Sequence, residues 1–278
     1  MEHPDTEHQR QVNAYFLSTL ANWHAIYQEN GVYQTIYQQR RNAALSLIDK
    51  IALPVGSRVL EVGCAHGLTT VALAERGFCV EAVDALSEMI SAAQIPTQES
   101  GFAERISFHV ADIHDLPFPA DSFHLVLVIG VTEWLRSLQQ PLREIERVLM
   151  PGGYLVIAAD NRYALVNMLD PLRNPIAVYP KRILQALLLR FGFRWPYPPV
   201  RAYSLFQFDS FLRAAGLWKA EGKTMGFGPF LFCGRPLLPE NTALKLHQSL
   251  QKLADKSVPF LRSSGYVYLV LAVKPKPC

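Results

Sequence analysis

Between about residue 55 and residue 160 the chain alternates short apolar runs with helical patterns, and this alternation constrains its fold more than any other feature. The runs are Arg58–Val62, Cys79–Val83, Ile106–Val110, Phe123–Ile129 and Tyr154–Ala159, and helical spacing of apolar residues fills Leu68–Arg76, Ser87–Gln94 and Leu138–Leu149. Parallel neighbours need a crossover long enough to hold a helix, so strands spaced by helices predict a parallel sheet covered on both faces. A chain of 278 residues that is 50% hydrophobic can fill such a core. Disorder, a fibrous repeat and a disulfide-stapled miniature scaffold are excluded by the same figures.

The flanks follow other rhythms. Tyr15, Phe16, Leu20, Trp23, Ile26 and Tyr27 recur at steps of three and four, as do Ile36, Ala43, Ala44, Leu47, Ile48 and Ile51. They predict two helices broken at Asn30 and Gly31 and closed by Pro54, a helical arm over residues 1–54. The core occupies 55–160, and Met150-Pro151-Gly152-Gly153 is expected as a turn that ends a helix before the fifth strand. Residues 161–205 are rich in proline and arginine, with one helix expected from Lys181 to Phe191 after Pro180, and are expected to form a lid. Residues 206–278 are expected to return to the sheet, with strands at Trp218–Met225 and Tyr266–Lys274, helices at Gln207–Ala215 and Asn241–Lys256, and an irregular Gly/Pro stretch between. The total is seven strands in a doubly wound, mostly parallel α/β sheet.

Composition narrows the partners. A formal charge of +3 with only 18% charged residues is too mild for a nucleic-acid groove. Cys64, Cys79, Cys233 and Cys278 show no CxxC or Cys/His spacing, so neither a metal site nor a disulfide framework is expected. The polar start MEHPDTEHQR and the short apolar runs predict no leader and no membrane span, hence a cytoplasmic chain.

The segment VLEVGCAHGLTT, Val59 to Thr70, runs from a strand through a glycine turn into a helix. Ligands of doubly wound sheets sit at such strand tips, where glycines admit a close backbone and the helix offers free N–H groups. Gly63, Ala65 and Gly67 do not spell the GxGxxG of dinucleotide readers, and Glu61 at the strand end would repel a pyrophosphate but suit a ligand with cationic groups. This stretch resembles the first motif of the class I S-adenosylmethionine-dependent methyltransferases, E/D-x-G-x-G-x-G, with Ala65 in place of the middle glycine. Asp84 stands at the second motif, Asp112 follows the third strand, and LREIERVLMPGGYLVIA is similar to the family's lead into the fifth strand. The resemblance implies a Rossmann-like fold and S-adenosylmethionine as cofactor. It implies contacts from Glu61, Gly63, Cys64, Ala65, Ala85 and Ile129, ribose hydroxyls on Asp84, the adenine amino group on Asp112, and Met89 and Ile113 against the ring. Each residue also has a plainer role open to it: Asp84 as a helix cap, Asp112 as a loop acid, Glu61 as an ordinary strand-end carboxylate.

Methyl transfer from a sulfonium is an in-line displacement, so the protein mainly positions the acceptor and takes a proton where one must leave. Glu133 after the fourth strand, His66 in the glycine turn and Tyr27 in the arm are the candidate catalytic residues, with Tyr33 beside them. A helix-start acid and a structural histidine remain the plainer readings of Glu133 and His66. The arm is weakly similar to that of magnesium-protoporphyrin O-methyltransferases, but Thr132 and Glu133 stand where those enzymes carry a histidine. Ile183, Leu184, Leu187, Leu188 and Phe191 share a helical face opposite Lys181, Arg182 and Gln185, either a cap on the domain or a greasy channel in peripheral contact with a membrane. The expected partner is a hydrophobic or lipid-like small molecule methylated on oxygen, with no nucleic acid. A binder without turnover and a protein or nucleic-acid methyltransferase are the alternatives.

Overall fold

The computed structural model describes residues 4–20, 31–176, 190 and 200–277. The arm contributes α1 (Pro4–Ser18) and α2 (Val32–Ile51). The alternating region then gives β1 (Arg58–Val62), α3 (Leu68–Glu75), β2 (Cys79–Asp84), α4 (Ser87–Glu99), β3 (Ile106–Val110), β4 (Phe123–Val128), α5 (Gln139–Val148) and β5 (Leu149–Asp160). After it come α6 (Leu165–Leu169), α7 (Leu205–Ala214), β6 (Trp218–Met225), the short β7 (Leu231–Phe232) and β8 (Arg235–Pro236), α8 (Glu240–Asp255) and β9 (Val267–Val273).

Seven strands form one sheet in the order β3-β2-β1-β4-β5-β9-β6. The first five pair in parallel, and β9 lies antiparallel between β5 and β6. The period of two along each strand sorts the core into two faces. Val59, Leu125, Leu127 and Val156 pack with α2 and α3 on one side, and Leu60, Val126, Val128 and Leu155 pack with α5 and α7 on the other. The order reverses between β1 and β4, the place where sheets of this kind open a crevice at their carboxyl edge.

Two local expectations are corrected. The Met150-Pro151-Gly152-Gly153 stretch lies inside β5 rather than ahead of it: Leu149 already pairs with Phe123, and the register shifts between Phe123 and Leu125. Gly152 reaches φ +83° there and still donates its N–H to Lys274 O at 2.8 Å, so the chain bulges without leaving the ladder. The Gly/Pro stretch holds the β7–β8 hairpin, an ordered element in place of an irregular one. Trp23, Ile26, Tyr27 and, apart from Arg190, the helix expected at 181–191 lie outside the described residues.

Candidate functional site

The turn after β1 is built by backbone geometry. Gly63, Ala65 and Gly67 all have positive φ, at +78°, +46° and +74°, which lets the chain reverse from strand to helix within five residues. The N–H groups of Gly63 and Cys64 both reach Val83 O, at 2.8 and 3.1 Å, tying the turn to the tip of β2. A side chain on Gly63 would strike Val131 Cγ2 at 2.3 Å, and one on Gly67 would meet Ala93 O at 2.9 Å. Glycine is needed at both places for space as well as for φ.

Above this turn lies a cavity of about 70 Å³ that opens to solvent. Glu61, Gly63, Cys64, Ala65, His66, Met89, Ile129 and Glu133 all line it, together with Phe16 of α1. Glu61 is 2% exposed, and its Oε2 accepts a 2.5 Å hydrogen bond from Thr70 Oγ1 on α3. Burial pushes its carboxyl up to about 8, against the lowering effects of the Thr70 hydrogen bond and the Arg41 charge. Burial likewise pushes the Cys64 thiol up, so it is no nucleophile at neutral pH.

Asp84 sits at the tip of β2, its Oδ2 accepting from Ala65 N–H and its Oδ1 from Leu86 N–H, both at 3.1 Å. Its carboxylate therefore fixes the turn that bounds the cavity, and a carboxylate with about four lone-pair sites retains acceptor capacity beyond those two bonds. Burial raises its pKa, while backbone N–H donors oppose the shift. Ala85 beside it is exposed.

Asp84, Ala85, Asp112 and Ile113 do not line the cavity. Asp112 is exposed, and its Oδ1 accepts both the His114 N–H at 2.9 Å and a 2.6 Å bond from the His114 ring, a contact that holds the carboxyl below its ordinary value. Ile113, 6% exposed, packs in the core with Leu116. Among the catalytic candidates, His66 and Glu133 face the cavity, 9% and 5% exposed, and Tyr27 lies outside the described residues.

Glu133 is not alone. Arg40 Nη1 lies 3.4 Å from its Oε1 with both side chains buried, and the guanidinium packs on the Gly130 backbone, where a side chain would meet Arg40 Nη2 at 2.8 Å. The Tyr37 ring lies under the same guanidinium, 4.4 Å from its carbon to the ring centroid. Sequence reasoning missed Arg40, Tyr37, Asp160 and Tyr266. Two signals were there: Tyr33, Tyr37 and Arg40 fall at helical spacing on the stripe of Ile36, and Asp160 is a strand-end carboxylate like Glu61 and Asp84.

Residues 60–157 match the methyltransferase domain family. The matched span holds β1 to β5, the glycine turn and every cavity residue from Glu61 to Glu133. Over that span the chain is similar to the methyltransferase domain family. Methyltransferase GfsG of Streptomyces halstedii is 33% identical over 113 residues, 40% of this chain and 41% of that protein. A ubiquinone biosynthesis O-methyltransferase of Xylella fastidiosa is 33% identical over 132 residues, 45% of this chain and 50% of that one. The chain thus spans about half the length of such curated relatives. In fold, the chain matches the magnesium protoporphyrin IX methyltransferase of Synechocystis with bound SAH, at 17% identity and a TM-score of 0.64 over 96% of this chain and 99% of that one. The [4+2]-cyclase SpnF matches at 19% identity and a TM-score of 0.63, covering 97% of this chain and 96% of that one. At these identities the likeness is one of fold.

Proposed function

We propose that this chain transfers the methyl group of S-adenosylmethionine to an oxygen of a small hydrophobic molecule. The observation that carries the reading is Glu61: a buried carboxyl on the wall of a cavity at the switch point of the sheet, beside a glycine turn braced by Asp84. The donor, when bound, supplies an activated methyl carbon on a positively charged sulfur. The residues present fit it. Glu61 suits its ammonium, the unused lone pairs of Asp84 suit the ribose hydroxyls, and Met89 and Ile129 give apolar surface to a flat ring. A dinucleotide is disfavoured by the same Glu61, which would face a pyrophosphate.

The chain's own part is to position and to exclude water. Phe16 of α1 closes the cavity on one side, and the Arg40–Glu133 pair forms a buried polar wall beside Gly130. The apolar lining from Phe16, Leu68, Met89 and Ile129 supports a hydrophobic acceptor, as do the ubiquinone biosynthesis O-methyltransferases among the relatives. The apolar spacing of residues 181–191 in the sequence adds peripheral contact with a membrane to the proposal. Among the described residues no helix is long and apolar enough to cross a membrane.

S-adenosylhomocysteine is expected to raise the melting temperature, NAD is not, and Asp84→Ala is expected to abolish the shift. Incubation with methyl-labelled cofactor and a panel of phenols, quinols and lipids then separates transfer from mere binding. Stabilisation by NAD alone, or binding with no label moved to any acceptor, would count against the proposal.

A further inference from the structure

The carboxyl edge of the sheet carries an apolar surface that the cavity does not use. β5 ends at Asp160, whose Oδ2 accepts a 2.8 Å hydrogen bond from the Tyr266 hydroxyl, and the chain leaves that edge through α6. Asp170, just after α6, is buried. Its Oδ1 accepts the Leu172 N–H at 2.9 Å and the Cys233 N–H at 3.1 Å, which ties the β7–β8 hairpin to the end of α6. Asn174 donates from Nδ2 to Met168 O at 2.8 Å and accepts the Ile176 N–H at 2.8 Å, so the chain after Asp170 turns back onto α6. Four large apolar residues stand out from this junction: Leu169, Ile176, Phe232 and Leu237 are each at least 50% exposed. Single exposed apolar residues are ordinary, but four on two segments bonded to one buried carboxylate make a patch. Phe230 fixes the inner side of the hairpin, buried with Val32 and Ile36 of α2, so the outer side chains are left without a partner layer.

We propose that this surface docks on an anionic lipid bilayer, with Leu169, Ile176, Phe232 and Leu237 entering the headgroup layer. For the purpose of docking the inference rests on the methyl-transfer reading, and it adds to that reading the surface and the charge of the lipid. Charge selects the occupant. Among residues 161–176 and 230–239 the charged side chains are Arg162, Arg173, Arg235 and Asp170. Asp170 is buried with Arg173 Nε 3.9 Å from its Oδ2, so the exposed Arg162 and Arg235 set the sign. Glu240, just beyond the hairpin, is engaged by the Val32 N–H of α2 at 2.6 Å.

The sequence after Asp170 has the same sign. From residue 171 to residue 208 it holds six basic residues and no acidic one, in a chain whose whole surplus is +3. Basic residues beside exposed apolar ones suit negative headgroups over hydrocarbon, where each cation adds attraction and each apolar side chain leaves water. A second copy of the same face would instead bring like charges together across the contact. The hairpin packs through Phe230 on α2, and α2 also carries Arg40 of the cavity wall. Docking there brings the open cavity to the layer in which a hydrophobic acceptor dissolves.

The test is co-sedimentation of the full chain with vesicles of phosphatidylcholine alone and of phosphatidylcholine mixed with phosphatidylglycerol, at low and high salt. Binding to the anionic vesicles is expected to be about 10-fold or more tighter than to the neutral ones, and to weaken as salt screens the charge. Replacing both Phe232→Ser and Leu237→Ser is expected to weaken it by about 10-fold or more, and Arg235→Glu by about 5-fold or more. Trp218→Ser, exposed at the opposite edge of the sheet where β6 begins, is expected to leave it unchanged. Should the double substitution fail to fold, Arg235→Glu and Phe232→Ser singly carry the comparison. S-adenosylhomocysteine binding with no vesicle binding overturns this inference alone, and so does vesicle binding unchanged in Phe232→Ser, Leu237→Ser and Arg235→Glu. Self-association that Phe232→Ser abolishes, with no vesicle binding, gives the face to a second copy and overturns it as well. Vesicle binding that follows these expectations without any S-adenosylhomocysteine binding overturns the transfer reading instead.

Discussion

Glu61 carries a carboxyl that burial holds near 8, so at neutral pH without ligand it is mostly protonated. An ammonium beside it favours the ionised form, and binding must then release a proton. Affinity for S-adenosylhomocysteine is therefore expected to tighten as pH rises from about 6 towards 8, with proton release visible as a buffer-dependent heat in calorimetry. Glu61→Gln should flatten that dependence and weaken binding by about 10- to 100-fold, the worth of one hydrogen bond to a charged group. Two backbone positions give a matched pair. Gly67→Ala combines a φ of +74° with a contact at 2.9 Å to Ala93 O, and is expected to cost about 1–3 kcal/mol in chemical denaturation. Ala65→Gly relieves about 1 kcal/mol of left-handed strain at φ +46° but loosens the unfolded chain by a similar amount. Stability within about 1 kcal/mol of the wild type is expected, and a larger loss would show that the Ala65 methyl group packs.

At the scale of elements, α1 is anchored on the Thr132–Trp134 turn beyond β4. His8 Nε2 lies 2.8 Å from Trp134 O, and the rings of Tyr15 and Phe16 lie 5.4 and 5.0 Å from the Trp134 ring. Phe16 thereby stays in the cavity wall. Trp134→Ala removes two aromatic pairs worth about 1–3 kcal/mol together, and is expected to speed proteolysis within α1 and the dissociation of S-adenosylhomocysteine while leaving the sheet folded. Unchanged rates for both would detach α1 from the site. The elements that run by local rules were legible in the sequence: β1, β3 and β6 have the bounds their alternation predicts. Where the Met150–Gly153 turn was taken for a stop, the reading fell short. Gly152 bulges inside β5, and α4, expected to end at Gln94, continues to Glu99, with Thr97 Oγ1 donating to Ala93 O. The site divides the same way. Glu61 stands where a strand-end carboxylate before a glycine turn must stand, whereas Asp112 was placed correctly on its loop and then satisfied by its own neighbour, His114. Arg40, Glu133, Asp160 and Tyr266 meet only when α2, β4, β5 and the approach to β9 are assembled, and no local pattern announces that.

Across the whole molecule, three buried titratable groups set how stability follows pH. Glu61 and Asp160 have folded pKa values near 8, above their ordinary 4.5 and 3.8, so between those limits the folded state holds protons that the unfolded chain has lost. Stability must fall as pH rises through that window. His247 behaves in the opposite sense. It is fully buried, its Nδ1 accepts the Phe227 N–H at 3.1 Å and its Nε2 lies 3.1 Å from Gln39 Oε1, so burial lowers its pKa below 6.5. Below that pH the unfolded chain binds a proton that the folded one refuses, and this offsets part of the stability that the two carboxyls gain on acidification. The carboxylates with lowered values, Asp49, Asp112 and Glu144, add their loss only further down, as pH falls through their depressed pKa values. Two carboxyls outweigh one histidine, so the melting temperature of the ligand-free protein is expected to peak near about pH 4 to 5 and to decline towards pH 8. Asp160→Asn should make the alkaline decline shallower, because the group that must ionise is gone. Saturating S-adenosylhomocysteine should make it shallower too, by favouring the ionised Glu61. A melting temperature constant from pH 5 to 9, with and without ligand, would mean that neither carboxyl is held in its neutral form by the fold.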